Sequence, residues 1–75
     1  MKLKDLLTIL KHEEVELCPN SEEMYDITVI EELVTDNKTP KSFEPYLDCE
    51  IKKIYSDCDY DNNGELMSFL SIELR

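Results

Sequence analysis

The sequence predicts an α+β domain in which a short N-terminal amphipathic helix packs on a mostly antiparallel sheet of about four strands. Two observations predict this class. Leucines recur at helical spacing in the first eleven residues, and three later segments alternate apolar and polar residues or are rich in β-branched ones. A chain of 75 residues with one glycine and no repeat fits a single domain, 1–75, with a small core.

The helix is predicted at residues 2–11. One side of it carries four leucines at i, i+3, i+4 and i+7, namely Leu3, Leu6, Leu7 and Leu10. A helix this short is marginal on its own in water. Its leucine face is therefore expected to pack on the sheet.

Three segments are predicted to be strands. Residues 14–18 alternate charged and apolar side chains before a Pro-Asn turn. Residues 25–36 are rich in β-branched side chains, and the apolar face changes at Ile30, where a bulge or twist would fit. Residues 66–75 alternate apolar and polar side chains toward their end.

Two segments between the strands are harder to interpret. Residues 37–45 contain two prolines and no periodicity, which is typical of a loop. Residues 46–58 fit a helical stripe through Leu47, Ile51 and Ile54, but the same positions fit a strand with a local slip. The sequence leaves helix and strand open for 46–58.

The charge of the chain is strongly unbalanced. The formal net charge is −10, and no lysine or arginine occurs between His12 and Asn37. Such a surface repels nucleic acid and anionic lipid, and it attracts cations or proteins with basic clefts. The alternative is that the acidic residues only keep the protein in solution.

No catalytic or zinc-binding pattern is found. The three cysteines form no C-x-x-C pair and His12 is the only histidine, so neither a zinc site nor a nucleophile with its base is expected. We predict a non-enzymatic protein without cofactor or metal. Asp5 interrupts the apolar run that a signal peptide needs, and no segment has the roughly 18 apolar residues of a membrane span, so a cytoplasmic location in the host cell is expected.

The stretch DCDYDNNGEL, residues 57–66, allows three interpretations. Asp59, Asp61, Asn63 and Gly64 resemble the start of an EF-hand calcium loop, but Leu70 stands where the bidentate glutamate is required. Asn-Gly between apolar segments is instead typical of a hairpin turn. In an extended strand, alternate aspartates would lie about 6.6 to 6.8 Å apart on one face, as a row of negative charges.

Several segments carry a family resemblance. MKLKDLLTIL followed by EVELC, then PYLDCEIKKIYSD and a final LSIEL, resembles small uncharacterised acidic proteins of Firmicutes phages and integrative elements. The resemblance implies a turn followed by a strand in 46–58, and it implies that Leu70, Ile72 and Leu74 end an antiparallel sheet. The insert DCDYDNNGELM is longer than the family pattern. Inhibitors of host defence, including anti-CRISPR proteins and DNA mimics, occur among small acidic proteins of such genomes.

These observations predict a protein-binding module that inhibits a nucleic-acid-handling host defence protein. The partner would be a host protein with a basic cleft, such as a nuclease or CRISPR effector, with no direct contact to nucleic acid or membrane. The small core also makes a homo-oligomer plausible. The alternatives to this function are a calcium-binding module with an incomplete EF-hand-like loop and a structural or regulatory protein of a phage or mobile element. The predicted partner-binding residues are acidic: Glu13, Glu14, Glu16, Glu31, Glu32, Asp57, Asp59 and Asp61.

Overall fold

A computed structural model describes residues 1–20, 28–36 and 38–75 as a short helix followed by a four-stranded sheet. The strands lie in the order β2-β1-β4-β3, with β1 and β4 parallel and the two outer pairs antiparallel. The α+β class is therefore confirmed, with a mixed sheet. The elements in chain order are α1 (Leu3–Leu7), β1 (His12–Cys18), β2 (Ile30–Thr35), a 3₁₀-helix (Lys41–Tyr46), β3 (Ile51–Tyr60) and β4 (Leu66–Leu74).

The core lies on one side of the sheet. It joins the buried side chains of the helix with those of β1, β2 and β4 and with one residue of the 3₁₀-helix. The fully covered members are Leu3, Val15, Leu17, Val34, Phe43, Ile72 and Leu74.

Helix α1 is shorter than predicted, with five residues instead of ten. Its leading N–H groups, which have no partner within a helix, are bonded from outside: Leu3 N–H donates to the carbonyl of Cys49 and Lys4 N–H to that of Leu47, both at 3.0 Å. Thr8, the C-cap residue after Leu7, donates its hydroxyl to the carbonyl of Asp5 at 2.7 Å. The chain then has only four residues, 8–11, in which to turn into β1.

The segment 37–45 is not only a loop. Most of it belongs to the 3₁₀-helix Lys41–Tyr46, which places Phe43 at 0% exposure in the core. The Phe43 N–H donates to the carbonyl of Pro40 at 3.0 Å. Pro40 precedes the 3₁₀-helix at its N-cap, where a missing N–H costs no helical hydrogen bond, and Pro45 lies inside the helix.

Residues 46–58 contain a turn and then a strand. Strand β3 runs from Ile51 to Tyr60 and is antiparallel to β4, with a register shift between Ile51 and Lys53. The sequence left a helix and a strand with a local slip open for 46–58, and the structure has the strand. The first residues predicted for β2 lie partly outside the described residues, since positions 21–27 are not described, and β2 as described begins at Ile30.

The place of β4 in the sheet differs from the expectation. Leu70, Ile72 and Leu74 belong to β4, but this strand lies inside the sheet, between β1 and β3, and it is parallel to β1. A parallel neighbour requires a long crossover, and the chain between β1 and β4 contains β2, the 3₁₀-helix and β3.

Among the described residues, no helix is long and apolar enough to cross a membrane.

Candidate binding groove

The sheet has a second face, opposite the core. Side chains alternate along a strand, so Glu14 and Glu16 of β1 face away from the core side chain of Val15. The side chains of paired residues in neighbouring strands lie on the same face, so the pairing shows which residues of β2, β4 and β3 belong to it. We call it the open face. Exposed or half-exposed side chains cover most of it, including Glu14 and Glu16 of β1, Glu31 and Leu33 of β2, Met67 and Phe69 of β4, and Tyr55, Asp57 and Asp59 of β3.

A groove crosses the open face where the sheet divides. In the described residues, β1 pairs with β4 only from Val15 opposite Leu70 to Cys18 opposite Glu73, whereas the earlier part of β4 pairs with β3 alone. The β3–β4 hairpin therefore separates from β1 toward its tip. The resulting groove has a volume of about 370 Å³ and lies between residues 14–16 and Glu31 on one side and the hairpin on the other.

The carboxylates on the open face lie close enough to affect one another. Glu16 stands directly opposite Glu31 in the β1–β2 pairing, a position where side chains are about 5 Å apart. Partial burial raises the pKa of Glu16, and the negative charges of Glu31, Asp57 and Asp59 raise it further. The groove is thus a region of negative potential to which three strands contribute.

Two of the aspartates are held in place by their own strand. Asp57 Oδ1 accepts the N–H of Cys58 and Asp59 Oδ1 accepts the N–H of Tyr60, both at 2.8 Å. Strand β3 is the last strand in the order of the described sheet. Asp57 and Asp59 therefore place negative charge on an outer strand, where charged side chains disfavour the addition of another strand.

The predicted site residues divide between the two faces. Glu14, Glu16, Glu31, Asp57 and Asp59 share the open face, whereas the neighbouring Glu13 and Glu32 face the opposite side of the sheet. Glu32 accepts a hydrogen bond from the Ser42 hydroxyl at 2.8 Å, which ties β2 to the 3₁₀-helix.

Asp61 lies at the hairpin tip, at the end of the groove. Its Oδ1 accepts the N–H groups of Asn63 and Glu65, at 2.8 and 2.9 Å. Gly64 has a φ of 77°, the left-handed conformation that glycine adopts without strain. The hairpin interpretation of residues 57–66 is therefore confirmed, and Asp61 is a turn residue.

The sequence interpretation missed the apolar residues of this face. Asp57 pairs with Phe69 and Asp59 pairs with Met67 across β3 and β4, so an apolar stripe runs beside the aspartates. Met67 is 45% exposed and Leu33 is 43% exposed. The alternation of 66–75 contained this information, because it separates Met67 and Phe69 from the core positions Leu70, Ile72 and Leu74.

Calcium binding can be tested directly on this hairpin. The chain continues beyond Gly64 as strand β4 and not as the exiting helix of an EF-hand, and no group of three or more His, Cys, Asp or Glu in the described ranges could hold a metal ion. We expect calorimetric titration in low salt to give no calcium affinity tighter than about millimolar. Micromolar affinity that magnesium does not compete away would instead make Asp59, Asp61 and Asn63 ligands.

The groove is lined by carboxylates and by the apolar side chains of Met67 and Phe69. Cys18, two residues after Glu16 on β1, is buried and has a raised pKa because of desolvation, the charges of Glu16 and Glu73, and a hydrogen bond to Glu16, so it is held in the thiol form. Carboxylates beside an apolar stripe suit the recognition of a cationic partner.

The chain matches no protein-family model, no curated protein and no solved structure.

Proposed function

We propose that this chain is a non-enzymatic acidic protein-binding module, an inhibitor carried by a phage or mobile element that occupies the basic cleft of a nucleic-acid-handling defence protein. One observation carries the proposal: carboxylates from β1, β2 and β3 lie together on the open face, where Glu16 stands directly opposite Glu31. Partial burial raises the pKa of Glu16, and the charges of Glu31, Asp57 and Asp59 raise it further. Like charges that oppose each other across strands destabilise a sheet. A role in solubility alone does not require such crowding, because charges dispersed over the surface would serve it.

The arrangement supports an anti-CRISPR-like, DNA-mimicking mode of binding. Asp57 and Asp59 form one line of negative charge on β3, and Glu14 and Glu16 form another on β1, with the groove between them. Alternate residues in a strand repeat at about 6.6 to 6.8 Å. A cleft that holds phosphates by lysine and arginine would accept these two lines in place of a nucleic acid.

The test uses the chain as bait in a lysate of the host cell at low salt. We expect capture of a nucleic-acid-binding protein whose DNA or RNA binding the chain competes away. The complex should weaken steeply as the screening length falls from about 10 Å to about 3 Å. A cytoplasmic location in the host follows from this function and is part of the proposal.

Two variants of equal charge locate the interaction. Glu14→Lys with Glu31→Lys reverses charge on the open face, whereas Glu13→Lys with Glu44→Lys reverses the same number of charges elsewhere on exposed positions. Only the first variant should lose capture and competition, with both variants folded by circular dichroism. Equal binding by both variants would show that the open face is not the interface, and equal binding at low and high salt would exclude charge as its basis.

A further inference from the structure

The groove combines an apolar stripe with acid on both sides. Phe69 and Met67 follow one another along the open face of β4, and each stands opposite an aspartate of β3. Across the groove lie Glu14, Glu16 and Glu31. A purely electrostatic surface does not need a phenylalanine and a methionine between its carboxylates, so these two residues indicate the chemistry of the occupant.

The charge of the face excludes two kinds of occupant. A second copy of this chain would bring the same carboxylates into contact with each other, and like charges brought together at an interface cost several kcal/mol. A neutral apolar segment would cover the stripe but would remove water from the carboxylates without pairing them, which is unfavourable. The occupant must therefore carry a cation together with an apolar surface.

Arginine has both properties in one side chain. Its aliphatic stem covers apolar surface, its planar guanidinium stacks on aromatic faces, and its fork of donors matches carboxylates in bidentate fashion. Lysine offers a strongly hydrated point charge that cannot stack in the same way. A groove of about 370 Å³ lies near the lower end of binding-site volumes, which suits one or two side chains more than a large ligand.

We propose that the groove binds an arginine side chain of the protein partner, stacked on Phe69 beside Met67 and hydrogen-bonded to the carboxylates of Asp59 and of the β1–β2 side. This rests on the proposed function, because it names the group in the basic cleft that the chain recognises. It adds a selectivity that charge mimicry alone lacks: arginine is preferred to lysine. The preference depends on Phe69 and Met67, which carry no charge.

The experiment uses two synthetic peptides as probes, identical in length and charge, one with arginines and the other with lysines at the same positions in a Gly-Ser background. Their affinities for the full chain are measured by calorimetry at low salt, with the contacts mapped by NMR. We expect the arginine peptide to bind about tenfold more tightly, a difference of about 1.4 kcal/mol. It should shift the resonances of residues 67–69.

Uncharged variants then test the stripe. Phe69→Leu, which keeps an apolar side chain but removes the aromatic face, should abolish the arginine preference, and Met67→Ser should reduce it. Leu66→Ser is the matched control, because Leu66 is the exposed neighbour of Met67 and faces the other side of the hairpin. Circular dichroism and the NMR spectrum of each variant verify that it is folded.

The outcomes separate this inference from the proposed function. Equal affinity for both peptides, or an arginine preference that survives both Phe69→Leu and Met67→Ser, would overturn the arginine site while partner capture and its salt dependence remained intact. Binding of neither peptide would also overturn the arginine site. The proposed function itself fails if no nucleic-acid-binding protein is captured, if Glu14→Lys with Glu31→Lys captures the partner as well as the parent, or if salt has no effect.

Discussion

Phe43→Ala is expected to lower the free energy of unfolding by about 3–5 kcal/mol, the range for truncating a buried phenylalanine. Phe43 has no exposed surface and belongs to the same core cluster as Leu3, Val34 and Ile72. The cavity would lie between the 3₁₀-helix and the sheet. A domain of this size is stable by only about 5–15 kcal/mol, so the variant is expected near the edge of cooperative folding.

Urea denaturation followed by circular dichroism measures this effect. Lys41→Ala is the matched control, because Lys41 belongs to the same 3₁₀-helix but is exposed, and it should change stability by less than about 0.5 kcal/mol. A Phe43→Ala variant within about 1 kcal/mol of the parent would mean that the 3₁₀-helix does not close the core.

The burial of Phe43 by the 3₁₀-helix could not be predicted from the sequence. Two prolines and the absence of periodicity in 37–45 predicted a loop, but five residues of this segment, 41–45, belong to the 3₁₀-helix. The burial of Phe43 depends on the chain bringing this segment over the sheet after β2, and no local pattern carries that information.

Elements with strong alternation were predicted best. The alternating apolar residues of 66–75 became the buried side of β4, and Val15 and Leu17 became that of β1. In 46–58 the register shift after Ile51 changes the apolar phase, which is why helix and strand fitted equally well. Helix α1 stops early because the start of β1 and the contacts of residues 47–51 with its first turn fix both of its ends.

The sequence predicted which residues could form the candidate site, but not which strands bring them together. Alternation alone separates Glu14 from Glu13 and Glu31 from Glu32, so the sequence contained the division between faces. The meeting of β1 with the β3–β4 hairpin depends on the parallel β1–β4 pairing. That pairing joins segments more than fifty residues apart, and hydrophobic periodicity does not specify which strands become neighbours.

The double variant Glu16→Gln with Glu31→Gln is expected to change binding and stability in opposite directions. Removing two charges from the groove should weaken partner binding by about tenfold or more, equivalent to about 1.4 kcal/mol. Removing the direct opposition of like charges between β1 and β2 should stabilise the fold by roughly 0.2–1 kcal/mol at neutral pH. Glu44→Gln, at an exposed position outside the sheet, should change neither property.

The difference in stability between the parent and the double variant is expected to depend on pH. The pKa of Glu16 is raised in the folded protein, so the folded state holds that proton more tightly than the unfolded chain, whose glutamate has the ordinary value of 4.5. The parent therefore loses stability relative to the variant as pH rises through and just above 4.5, and the difference disappears below that range, where Glu16 is protonated in both states.

Urea denaturation of the parent and the double variant at acidic and neutral pH measures the difference in stability. A variant less stable than the parent at neutral pH would show that Glu16 and Glu31 are held by favourable contacts and carry no strain. A more stable variant that binds as tightly as the parent would remove these two residues from the interface. If stability rises while binding falls, the two glutamates persist at a cost to folding, and partner recognition is the physical reason for keeping them.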